Sequence, residues 1–338
     1  MVTQSDIAKL AKVDRTSVSK ILCGAQLEHF SDDVVEKVKS FAIRLGYKHR
    51  HFKNALKLGF LFPVGMDEAL DGYTYAERTM AALLGASKVL EGSKHSLQIV
   101  NINYSNRTFD FDKVANTADV FIIWELTWEW ADRFYAILKE KQKDFVVINR
   151  VSASFKDSYI IHESDEVYIK SAIDIFCKYG HSKIAGVFND VEKTGRLSAM
   201  KEAFKQKGLE HSAQNVFSFH ERDADGCRKT ARLIAERGFT AVFVQSNDMN
   251  ALDLVIELGK LGLRVPEDIS VLGNHKKRSL PSLGLDLSSF ETPWYEMGKR
   301  AAEFLIAGYS QSDCSKRITH EVLKQKFYEG NTIRGLSR

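Results

Sequence analysis

The sequence predicts an α/β protein: an all-α helix-turn-helix domain at the N-terminus, then a core of two doubly wound parallel sheets. Three observations carry this. Two short apolar stripes with helical spacing, Ile7-Leu10-Ala11 and Val18-Ile21-Leu22, stand side by side in the first 22 residues. From Leu58 onward, apolar strand-like runs alternate with amphipathic helical stretches, the pattern of parallel strands with covering helices. At 338 residues the chain is long for one core, and its strand runs are too many for one such sheet.

Taken in order, TQSDIAKLAKVDRTSVSKIL from Thr3 reads as two helices joined by a tight turn. Each is too short to be stable alone, so the two stripes must pack on one another and on a third helix. That third helix starts at Ser31, carries Asp32 and Asp33 in its first turn, buries Val34, Val38, Phe41 and Leu45, and stops at Gly46. The plan places the second helix in a DNA major groove. Its polar face holds Arg15, Thr16, Ser17, Ser19 and Lys20 and no carboxylate, and Asp14 stands before it as an N-cap. Short hydroxyls allow close approach to phosphates, and Arg15 can fork onto guanine. An ordinary helical hairpin with a solvated polar face fits the same pattern. Residues 47–57, YKHRHFKNALK, are basic and weakly patterned, a linker.

The core alternates as follows: strand LGFLFPV, helix over 74–91, strands SLQIVNI and DVFIIW, helix over 128–142, and strand DFVVINR. Helix 166–179, strand KIAGVF, helices 196–207 and 223–237, strand AVFVQ, helix 248–261 and strand ISVLG complete it. Ligands of such sheets bind beyond the carboxyl ends of the strands.

The net charge is +4, too small for a basic footprint over the whole molecule. Lys and Arg outnumber Asp and Glu within the first 57 residues, whereas the remainder is slightly acidic, which points a polyanion to the N-terminal domain. Cys23, Cys177, Cys227 and Cys314 are scattered, with no CxxC and no accompanying His cluster. Neither a metal site nor a disulfide framework is expected, and free thiols fit a reducing cytoplasm. No secretory segment or long apolar run is found, so no membrane association is expected. No nucleophile elbow, P-loop, catalytic triad or paired-carboxylate motif is present, so no catalytic residue, cofactor or enzymatic activity is expected.

The N-terminal segment resembles the DNA-binding module of the lactose-repressor (LacI/GalR) family, through Thr3, Asp6-Ile7-Ala8, Ala11, Val13 and Ser17-Val18-Ser19. It departs from the family at Lys12, where Gly is usual, and at Asp14, where Ser is usual. YGHSKIAGVF, RLSAMKEAFKQKGL, LGLRVPEDISVLG (residues 261–273) and TPWYEMGKRAAEFL extend the resemblance over nearly the whole chain. It implies a periplasmic-binding-protein-like core of two lobes, with an effector such as a sugar held between them. It also implies Arg15, Thr16 and Lys20 as base readers, and Thr3, Ser17 and Ser19 nearer the phosphates. The expected domains are residues 1–47 for DNA, 48–57 for the linker and 58–338 for effector binding and dimerisation. Within the core, one lobe is expected over about 58–152 and 290–318, the other over about 153–289 and 319–338.

Effector candidates lie after strand ends. Arg196 and the Asn247-Asp248 pair match ligand-contacting positions of the family, and Tyr73 and Tyr75 resemble its aromatic pair. Asn149 can donate to a hydroxyl, and Trp124 can stack on a ring. Each also has a packing, turn or capping reading. His275, with Lys276, Lys277 and Arg278, stands where the family carries an acid. Either this run is a solvated loop or the effector is anionic, such as a sugar phosphate. The family's hinge sequence is missing after Tyr47, so a short or absent hinge helix is expected, with Lys48 and Arg50 holding the DNA backbone electrostatically.

The expected function is a sequence-specific transcriptional regulator, a repressor, acting as a homodimer on a double-stranded operator under control of a small effector. The alternative is a cytoplasmic small-molecule sensor whose N-terminal domain contacts another protein.

Overall fold

A computed structural model describes residues 2–22, 29–45, 47, 55–64, 72–103, 110–124, 128–149, 158–189, 195–220, 223–276, 280–307 and 320–336. Two compact units divide the chain: residues 1–162 with 294–323, and residues 163–293 with 324–338.

The first unit opens with three helices, α1 (Gln4–Ala11), α2 (Arg15–Leu22) and α3 (Asp32–Arg44). Ile7, Ala8, Ala11, Val18, Ile21, Leu22, Val38 and Ala42 form their common core, so the two stripes do meet a third helix. Leu10, the remaining member of the first stripe, is exposed. Lys12 takes the left-handed conformation at φ 57°, which explains how a non-glycine residue makes the tight turn, at a modest steric cost.

The rest of this unit is a parallel sheet in the order β11-β5-β4-β3-β1-β2. Its strands are β1 (Lys57–Val64), β2 (Ser96–Asn103), β3 (Val120–Trp124), β4 (Phe145–Ile148), β5 (Tyr159–His162) and β11 (His320–Val322). Alternation sorts the strand side chains to two faces. Leu58, Phe60, Ile122 and Val146 pack under α4 (Gly72–Leu90) and α11 (Trp294–Ile306). Leu61, Phe121, Ile123 and Val147 pack under α5 (Phe111–Ala115) and α6 (Trp128–Glu140). Helices α4 and α11 approach closely enough that a Cβ on Gly298 would stand 1.8 Å from the Ala82 carbonyl oxygen.

The second unit repeats the plan in the order β12-β10-β9-β8-β6-β7. Its strands are β6 (Ile184–Phe188), β7 (Val216–Ser218), β8 (Ala241–Val244), β9 (Ser270–Asn274), β10 (Ser289–Glu291) and β12 (Lys326–Tyr328), and only β10–β12 is antiparallel. One face meets α7 (Asp165–Lys178) and α8 (Arg196–Gln206), the other α9 (Ala224–Glu236) and α10 (Asp248–Lys260). Each sheet contains the 2-1-3-4-5 strand order, whose switch points lie between β1 and β3 and between β6 and β8.

The units change over later than the sequence suggests. Residues 159–162 belong with the first sheet because β5 pairs with β4, and 320–322 belong there because β11 pairs with β5. These short strands carry too few residues for a periodic signal to stand out.

Candidate nucleic-acid interface and effector edge

The face of α2 is built by its cap. The backbone N–H of Ser17 donates to Asp14 Oδ1 at 2.7 Å and the Ser17 hydroxyl to Oδ2 at 2.5 Å. These bonds hold the Asp14 carboxyl below the usual carboxylate range. The Asp14 carboxylate is thus engaged with its own helix. Arg15 and Thr16 are exposed on the first turn, while Ser17, Ser19 and Lys20 are half-buried. Thr3 caps α1 in a reciprocal box with Asp6: Asp6 N–H donates to Thr3 Oγ1 at 3.3 Å, and Thr3 N–H donates to Asp6 Oδ2 at 2.8 Å. Thr3 and Ser17 therefore both spend their hydroxyl hydrogens on caps, and only their lone pairs can face a partner's donor. Lys48, Arg50 and the expected hinge lie outside the described residues.

At the strand ends of the second unit, Asp165 begins α7 and Arg196 begins α8. The Arg196 guanidinium Nε donates to Asp165 Oδ2 at 2.8 Å, and Gln245 Nε2 donates to Asp165 Oδ1 at 2.5 Å. Asp165 therefore orients both groups. Asn250 Nδ2 donates to Ser246 Oγ at 2.8 Å and to Asn189 Oδ1 at 3.1 Å. The Oε1 of Gln245 and the Oδ1 of Asn250 are buried without a hydrogen-bond partner among the described residues, and Gln245 shares Asp165 with the Arg196 guanidinium. Such a mixed edge suits hydroxyl groups, which both donate and accept.

Several expected contacts have structural work instead. Asn247 caps α10, accepting from the Asn250 N–H at 2.9 Å. Asp248 is fully buried and accepts from the Ser289 hydroxyl at 2.5 Å, so the reading of Asp248 as an open ligand contact is corrected. Trp124 is corrected likewise. Its ring is 0% exposed, stacked with Phe60 and edge-on to Trp294 at 5.5 Å, because β3 points it into the core rather than off the strand end. Asn149 ends β4 in the left-handed conformation at φ 58°. Tyr73 and Tyr75 lie in the first turn of α4, and their side chains lie outside the described residues.

The basic run after β9 is not an open cationic surface in its described part. Lys276 Nζ donates to the Leu287 carbonyl at 2.7 Å and sits 3.8 Å above the Tyr328 ring, near Asp286. His275 is almost fully buried, 2.9 Å from Thr292 Oγ1 through its Nδ1. Lys277 and Arg278 lie outside the described residues. Asp165, Gln245 and Asn250 were missed from sequence. The signal was available for Gln245, the polar residue ending AVFVQ; Asp165 read only as a helix-start acid, and Asn250 only as a residue inside a helix.

Burial pushes the Cys227 thiol up to about 12, so it is not a nucleophile at neutral pH. Among the described residues there is no group of three or more His, Cys, Asp or Glu able to hold a metal, and no helix is long and apolar enough to cross a membrane.

Taken together, a three-helix head and two doubly wound units with polar strand ends define a DNA-binding head joined to a small-molecule-binding core. Comparison with known proteins agrees. Residues 173–332 match the periplasmic binding protein-like domain. The HTH-type transcriptional repressor PurR of Vibrio atlanticus is 25% identical over 355 residues, covering 100% of both chains. The ribose operon repressor of Lactococcus lactis is 24% identical, covering 90% of each. Among solved structures, the transcriptional regulator CelR–cellobiose complex has a TM-score of 0.63 at 19% identity, covering 98% of this chain and 100% of that one. A lac repressor dimer bound to operator has a TM-score of 0.62 at 17% identity, covering 98% and 99%. Over nearly its whole length the chain is thus similar to these repressors and regulators.

Proposed function

We propose that this protein is a cytoplasmic transcriptional repressor, not an enzyme, that binds a near-palindromic operator as a homodimer and responds to a small effector. The observation that carries the reading is the geometry of α2: Arg15 and Thr16 stand exposed at its N-terminal turn, and Asp14 is withdrawn into the cap. An exposed Arg at the N-terminal end of a second helix is what reads base edges in this motif. Lys20 is a further base reader and Ser19 contacts the phosphates, whereas Thr3 and Ser17, near the phosphates, spend their hydroxyl hydrogens on the caps that hold the two helix starts. The relatives are named as repressors and regulators, and one neighbour is a dimer on its operator. A groove lined by Leu84, Leu97 and Tyr295 on the first unit offers apolar surface for the second copy.

The effector is a neutral sugar. Arg196, neutralised by Asp165, and the acceptors Gln245 Oε1 and Asn250 Oδ1, which have no partner among the described residues, match hydroxyls, whereas Lys276 is tied down by the Leu287 carbonyl. Relatives and neighbours are described as a ribose operon repressor and as complexes with cellobiose and sucrose. Arg196, Asn149, Tyr73 and Tyr75 are the effector contacts we assign.

A gel shift on the DNA upstream of its own coding sequence, run at several salt concentrations, tests the reading. A specific band whose affinity falls with salt is expected; no specific shift at any salt contradicts it. Calorimetric titration with neutral sugars and with sugar phosphates tests the effector, and preferential binding of the phosphates would overturn that part.

A further inference from the structure

The chain passes between its two units three times, at His162/Glu163, Pro293/Trp294 and Leu323/Lys324. In the second unit, a residue beside each crossing joins one polar cluster. Gln325 Nε2 donates to Glu163 Oε2 at 2.5 Å and to Asn274 Oδ1 at 3.0 Å, and lies 2.9 Å from Thr292 Oγ1. The Thr292 hydroxyl donates to Glu163 Oε2 at 2.8 Å. With that hydrogen committed, the His275 Nδ1–H must be the donor in its 2.9 Å contact with Thr292 Oγ1. The Asn274 amide, 3.5 Å from His275 Nε2 and 2.9 Å from the Gln245 carbonyl, fits that tautomer. His275 Nε2 also lies 3.8 Å from Glu163 Oε1. The backbone is strained to hold this arrangement: His275 sits at φ 58°, in the left-handed region that a non-glycine residue rarely adopts.

Glu163, Thr292 and Gln325 are thus far apart in sequence, adjacent to three different crossings, and bonded to one another and to the end of β9. Satisfied networks of this kind, mostly shielded from water, hold a single geometry. We propose that Gln325, Glu163 and Thr292 are positioning residues: they fix Asn274 and His275 at the effector edge and tie that edge to all three crossings at once. A ligand that displaces His275 is then felt by every connection between the units through one set of bonds. This rests on the effector reading only for what moves His275; the clasp itself is testable without ligand.

The test uses the full-length protein alone. Hydrogen–deuterium exchange is followed in peptides covering residues 159–165, 289–295 and 322–327, and the His275 tautomer is read from its side-chain nitrogen shifts. In wild type we expect the Nδ1-protonated form. In Gln325→Leu and in Thr292→Val, exchange in all three peptides rises together, by about tenfold, with β6 and β8 unchanged, and the tautomer signature is lost. Thr292→Ser restores both. A rise confined to the peptide that carries the substitution overturns the proposal, and so does an unchanged His275 signature in both variants. Two variants in different segments guard against one that merely fails to fold. Sugar binding is not measured, so failure of the effector reading would show in calorimetry and leave this result standing.

Discussion

Arg15 and His181 show how much single side chains settle here. Arg15 has no hydrogen-bond or ion-pair partner for its side chain among the described residues and stands exposed at the start of α2, so its replacement removes chemistry rather than structure. Arg15→Ala should cost about 1–3 kcal/mol at one base pair of each half-site and relax preference there. Binding to a panel of single-base operator variants measures this; a uniform loss across all variants would mean Arg15 touches only phosphate. His181 is buried, with Nε2 2.9 Å from the Arg334 carbonyl and Nδ1 3.0 Å from Thr240 Oγ1. A carbonyl only accepts, so Nε2 carries the hydrogen and Nδ1 accepts from Thr240. Burial lowers its pKa from the ordinary 6.5. A base with a depressed folded pKa is protonated preferentially in the unfolded chain. The stability it supports is therefore full above about pH 6.5 and falls as the pH drops toward the folded value. The slope is at most one proton, about 1.4 kcal/mol per pH unit. Denaturant unfolding of wild type and His181→Gln between pH 7.5 and 5 should show the difference between them shrinking as the pH falls; a constant difference would show that His181 does not titrate this way.

At the scale of elements, the helices were legible because their stripes are periodic, and the central strands β3, β4, β6, β8 and β9 because each is buried on both faces. The three short strands next to the crossings, β5, β10 and β11, were not, and their pairing decides where the units end. The site divides in the same way. The cap at Asp14 and the exposed Arg15 follow from local sequence. Asp165, Gln245 and the Glu163–Thr292–Gln325 clasp need residues brought together over as many as 162 positions, which no local pattern encodes. Trp124 misled because a strand end reads as a site when the register that turns it inward is unknown. Packing between α4 and α11 is decided by glycine in the same non-local way. Gly298→Ala places its Cβ against the Ala82 carbonyl and should destabilise the first unit by about 1–3 kcal/mol or more. Gly259→Ala, in the last turn of α10 with open space around it, should be neutral or stabilise by up to about 1 kcal/mol. Urea unfolding of the pair checks both, and equal effects would show that the helix contact does not govern.

As a whole molecule the chain joins a DNA-reading head to two units of one repeated topology, each with polar groups at its strand ends. The head decides what is bound and the core decides when. The account stands on the claim that the three N-terminal helices read DNA sequence as a symmetric pair. Selection of the full-length protein against a random duplex library, sequenced round by round, tests this most directly. We predict enrichment of an inverted repeat with half-sites centred about one helical turn apart, bound at least roughly a thousandfold more tightly than random duplex. Retention of DNA with no enriched motif would contradict it.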